Sequence, residues 1–108
     1  QGRLREAHAE VVEAEARARG HENDLALALR TSHSKLARAL ATATLLREEI
    51  LPRAQRVLQS AETRYVTGDS SLSELLPVRR DWTRVRLDYL EALSDVMQAW
   101  AELSPYMQ

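Results

Sequence analysis

Three histidines lie in the first third of the chain, His8, His21 and His33. Imidazoles four residues apart on one helix face would make a metal site, and no two of these are so spaced. His21 has acidic neighbours in Glu22 and Asp24, but they form a loose cluster that reads as a solvated helix face. Glu48 and Glu49 are adjacent, so on a helix they point to different faces and suit paired-carboxylate catalysis poorly. Ser70, Ser71 and Ser73 have no histidine near them in sequence, so helix capping fits them better than nucleophilic attack. Arg79, Arg80, Arg84 and Arg86 form a basic stretch that reads as a solvated or salt-bridged face rather than an anion site. There is no glycine-rich phosphate loop. No catalytic, cofactor-binding or metal-ligating residue is therefore assigned, and the chain is expected not to be an enzyme.

The composition points to long helices. Among 108 residues there is no Phe and no Cys, and only 3 Gly and 3 Pro. Ala, Leu, Arg and Glu dominate, as they do in coiled coils. With 15 basic and 16 acidic side chains the net charge is −1. That balance lacks the basic field a nucleic-acid partner needs. No apolar run reaches the ~18 residues of a membrane-spanning helix. The polar, charged start "QGRLREAHAE" has no signal-peptide pattern, and a mature fragment is expected. The lack of Cys excludes disulfides but assigns no compartment.

Two elements are legible. The first is expected from about Arg3 to about Tyr65. Leu29, Leu36, Ala43, Ile50 and Val57 recur every seven residues, with Leu40, Ala54 and Ala61 four residues after three of them, which predicts one apolar stripe. Before Leu25 the face is weaker: Leu4, Ala7, Val11, Ala14 and Ala18. Gly20 is a weak point in a continuous helix; the alternative is a C′ residue, with Asn23 or Asp24 capping a second helix. Pro52 should kink the helix rather than end it, because the stripe continues from Ile50 to Val57. The second element is expected from about Leu72 to about Ser104, where Pro105 stops it. Its face is Leu75, Trp82, Tyr89, Val96 and Leu103, widened by Leu72, Leu76, Leu90, Leu93, Met97 and Trp100.

Between them lies "YVTGDSSLSELL", with the turn at about 66–71. Gly68 is the stop signal, and Ser71 to Glu74 matches a capping box. If Ser73 were the cap instead, Pro77 would fall at the edge of the first turn. Folding at Gly68 makes an all-α, long antiparallel coiled-coil hairpin over 1–108, its first helix much longer than its second. Ala61 should lie near Leu76, Ala54 near Trp82, Ile50 near Arg86, Ala43 near Leu93 and Leu36 near Trp100. About 30 N-terminal residues have no partner in the chain. The stripe from Leu25 to Leu46 is expected to need further bundle helices, and isolated hairpins to self-associate through it.

The run from Ile50 to Leu103 resembles the second-repeat helical hairpin of TolC-like outer-membrane efflux proteins, most closely their heavy-metal (CzcC/CusC-like) branch. Leu51, Pro52, Ala54, Ala61, Tyr65, Gly68, Ser71, Glu74, Leu75 and Leu76 carry the resemblance, followed by Arg79, Arg86, Tyr89, Leu90, Ala92, Leu93, Asp95, Ala99 and Leu103. Residues 1 to 49 fit only by composition and heptads. The resemblance implies a trimeric exit duct of a tripartite pump, anchored in the outer membrane with this segment in the periplasm. It implies as partners a periplasmic adaptor hairpin and an inner-membrane transporter. Tyr65, Gly68, Asp69, Ser70, Ser71, Ser73 and Glu74 would form the docking and gating tip, with Glu74 near the aperture. Pro77 stands where Asp is common. β-Barrel sequence and a first repeat are lacking, so the chain would be a fragment of the periplasmic α-barrel. Two other readings are an adaptor's own coiled-coil hairpin and a spectrin-type helical interaction module. Against the adaptor, Arg64 is followed by Gly68, where adaptor tips carry Leu.

Overall fold

The computed structural model describes residues 2–107. Helix α1 runs Gly2–Leu45 and passes through Gly20 without a break. It leads through a wide π-helical turn, Leu46–Ile50, into α2, Leu51–Val66. After a short turn, α3 runs back over Leu72–Leu103 and ends in a single 3₁₀ turn, Ser104–Met107. No strand occurs among the described residues. The molecule is an extended helical hairpin measuring 98 × 23 × 15 Å, and its long axis is what about 65 helical residues span at 1.5 Å each.

The wide turn is the local answer to Pro52. Its Leu51 N–H donates to the Leu46 carbonyl, five residues back. Pro52 has no N–H to give an α-helical partner, and its ring crowds the carbonyl four residues earlier. A π turn takes in one extra residue at such a place and lets the helix continue. The expected kink is thus a one-residue expansion.

That extra residue shows in the packing. On α3 the covered positions are Leu75, Val78, Trp82, Val85, Tyr89, Ala92, Val96, Ala99 and Leu103, an unbroken alternation of three and four. On α1 they are Ala28, Ser32, Leu36, Ala39 and Ala43, then Leu46 and Ile50 within the turn, and on α2 Leu51, Pro52, Ala54, Leu58, Ala61 and Glu62. Beyond the turn Ala54 of α2 and Trp82 of α3 line one cavity. Ala43, Leu46 and Ala92 form the buried cluster, with Ile50, Tyr89 and Val96 against it.

Ala54 lies near Trp82 as expected, but the seam is narrower. Leu72, Leu76, Leu90, Leu93, Met97 and Trp100 are all exposed, Met97 by 71% and Trp100 by 52%. One neighbouring helix covers only the a and d lines of a heptad, and a wider face needs further neighbours. On the first helix Leu29, Leu40 and Val57 are exposed as well. The second line lies three residues after Leu36 and Ala43, at Ala39 and Leu46, not four. Past the π turn Leu58 takes the place expected for Val57. As expected, the N-terminal stretch lacks a partner, every residue from Gly2 to Leu27 being exposed; in the Leu25–Leu46 stripe Ala28, Ser32, Leu36, Ala39, Ala43 and Leu46 are covered, while Leu25, Leu29, Leu40 and Leu45 stay exposed.

Few polar links cross the hairpin. Lys35 Nζ lies 2.9 Å from Glu102 near the open end, and Arg79 lies 3.7 Å from Glu62 near the turn. Both pairs are solvent-exposed and contribute at most about 1 kcal/mol each. Arg86 stacks over Trp82 at 5.9 Å. The basic stretch thus contains one ion-paired and one ring-stacked arginine.

Candidate functional site

The closed end of the hairpin is built by two capping devices in succession. α2 ends in a Schellman motif. The Asp69 N–H donates to the Arg64 carbonyl at 2.8 Å, and the Gly68 N–H to the Tyr65 carbonyl at 3.1 Å. The motif requires a left-handed residue at its centre, and Gly68 supplies it at φ +86°. The Ser70 N–H also reaches the Arg64 carbonyl, at 3.2 Å. α3 then starts at Ser71, whose side-chain oxygen accepts the Glu74 N–H at 3.3 Å. Ser71 rather than Ser73 is the cap, which leaves Pro77 inside α3. Pro77 deprives the Ser73 carbonyl of its helical partner on an exposed face, where water can replace it.

The seven sequence-assigned residues are contiguous in space because they occupy two helix ends and one tight turn. Tyr65 lies on the last turn of α2, half-exposed, with its carbonyl engaged by Gly68. Asp69 and Ser70 form the crest. Ser71, Ser73 and Glu74 form the first turn of α3, where an acidic side chain also complements the helix dipole.

Two residues at this end escaped the sequence reading. The Thr67 hydroxyl lies 3.2 Å from the Arg64 carbonyl and 3.1 Å from Asp69 Oδ2, so it ties the helix end to the crest. Its signal was there: Thr beside Gly-Asp is a residue type that bonds locally to turn backbone. Val66 is 82% exposed. It falls outside the apolar stripe, and periodicity therefore passes over it. Leu72, Leu76 and Tyr65, on the helix ends that flank the crest, are exposed as well. Beneath them Leu75 is 1% exposed and anchors the turn.

The closed end thus presents exposed apolar side chains beside the acidic Asp69 and Glu74. The hydroxyl–carboxylate contact here, Thr67 on Asp69, belongs to the turn. Among the described residues no group of three His, Asp or Glu side chains is placed to hold a metal ion. No described helix is long and apolar enough to cross a membrane. A family model described as outer membrane efflux protein matches residues 1–107. No curated protein and no solved structure matches the chain.

Proposed function

The chain belongs to the outer membrane efflux protein family, and from that premise we propose that it is the periplasmic hairpin of a trimeric efflux duct, with its closed end as the docking and gating tip. Members of this family are transport channels, and the chain is a segment of one. In this reading it is the second-repeat hairpin of a heavy-metal branch member. Tyr65, Gly68, Asp69, Ser70, Ser71, Ser73 and Glu74 meet the helical hairpin of a periplasmic adaptor, which joins the duct to an inner-membrane transporter. Glu74 lies beside the aperture. Pro77 removes a second acidic position one turn further on, so a single acidic ring narrows the opening.

The observation that carries the proposal is the surface of the tip. Val66, Leu72, Tyr65 and Leu76 stay exposed at the end of a 98 Å rod, held in place by two completed caps. Exposed apolar side chains around a rigid turn suit a contact made with another protein. The adaptor reading is less well supported, because Gly68 stands where an adaptor tip carries Leu and because the family match is to the duct. The test is Leu72→Glu in the full-length protein. The expected result is loss of adaptor co-purification with trimer yield unchanged. Undiminished co-purification would remove the tip from the interface.

A further inference from the structure

We propose that the cleft between α2 and α3, beside Trp82, is a binding site for a small organic anion with an apolar body. The cleft follows from how this half of the hairpin packs. Ala54 and Ala61 stand on the covered line of α2, and such short side chains leave space beside a ring as large as that of Trp82. A cavity of about 240 Å³ lies there, walled by Ile50, Ala54, Val57, Val78 and Trp82. Its polar members are Arg53 and Asp81. Arg53, Val57 and Val78 also line a second cavity, of about 350 Å³, toward the closed end. The two cavities therefore form one cleft.

The charges along the cleft select the ligand and its direction. Arg53, Arg56, Ser60 and Arg64 are three, four and four residues apart, so they share one stripe of α2. The three arginines are exposed, and among the described residues none of them lies in an ion pair. Arg79, by contrast, has Glu62 beside it. Arg56, Ser60 and Arg64 line the second cavity, which has no carboxylate on its wall. Guanidinium groups match an oxyanion head with paired N–H donors, and Ser60 adds a hydroxyl. Asp81 stands at the Trp82 end and repels an anionic head from it. The head therefore lies toward Arg56 and Arg64, and the apolar body reaches back to Trp82. An apolar cleft with a few polar groups that fix orientation is the usual form of a small-molecule site. A cationic ligand would meet three like charges for one opposite.

This inference rests on the cleft within the hairpin and not on the duct reading. The tip test reads a different surface, so either can fail alone. The chain has two Trp, and Trp100→Phe leaves Trp82 as the sole reporter. Sodium decanoate, kept below its micellar range, is titrated at low salt into this variant of the 108-residue chain, with Trp82 emission as the readout. The expected result is saturable binding. Arg56→Gln with Arg64→Gln should weaken it about tenfold, through loss of charge-assisted hydrogen bonds. Both positions are exposed, so the seam stays intact. Arg86→Gln should leave the affinity unchanged, since Arg86 stacks on Trp82 but does not line the cleft. Decyltrimethylammonium, a chain of the same kind with the opposite charge, should bind about tenfold more weakly or less. No saturable response, equal binding of the two amphiphiles, decanoate binding indifferent to the paired change, or a loss caused by Arg86→Gln instead would overturn the proposal.

Discussion

At the residue scale, two glycines in the same rod do opposite things. Gly68 sits at φ +86° with nothing within 4 Å of where a Cβ would be. The cost of Gly68→Ala is therefore conformational alone, about 1–2 kcal/mol. Gly20 lies in an uninterrupted helix, again with open space around it. Gly20→Ala should add about 1 kcal/mol through helix propensity. Urea midpoints of the two variants should move in opposite directions. A shared direction would contradict either the Schellman turn or the continuity of α1. The turn was legible because Gly68 and the Ser71–Glu74 spacing are local signals with local causes. The choice between Ser71 and Ser73 was not, because both offer a hydroxyl and only the backbone path decides between them. Val66 and Thr67 were missed for a related reason: one lies off the apolar stripe, and the other acts through a turn that only the fold assembles.

At the element scale, helix type, length and register could be read from heptads, while phase could not. A heptad written through Ile50 to Val57 assumes uniform winding. The π turn at Leu46–Ile50 adds a residue and hands the seam to Ala54 and Leu58. Pro52 announced an irregularity without saying how it would be absorbed. Deleting Glu49, an exposed residue of the turn, should return this stretch to α-helical winding with both halves still in the seam. It would also place Pro52 in a regular helix, at a cost of up to about 3 kcal/mol. The deletion alone should therefore destabilise the hairpin, and Pro52→Ala added to it should recover most of the loss. Thermal unfolding followed by circular dichroism reads both. Failure of the second change to rescue would mean that the wide turn does not serve to accommodate Pro52.

At the scale of the whole molecule, the hairpin is under-buried. Its radius of gyration is 26.8 Å, against about 13 Å for a compact domain of this length. Its accessible surface is 8788 Å², where a globular chain of this mass would expose about 6,100 Å². The outer face of α3, with Leu87, Leu90 and Met97 in water, and the free stretch of α1 account for much of the excess. Both features fit the proposed reading, in which the hairpin is one wall element of a larger helical assembly. The wide α3 face expected from sequence is real as a pattern, but within the hairpin only its central seam is covered. The central claim is that the closed end meets an adaptor. The chain has no Cys, so a single Asp69→Cys in the full-length duct protein gives a clean crosslinking handle at the crest, with Gln55→Cys on exposed α2 as the mid-helix comparison. The account predicts adaptor captured from position 69 and not from position 55; adaptor captured at position 55 with none at position 69 would contradict it.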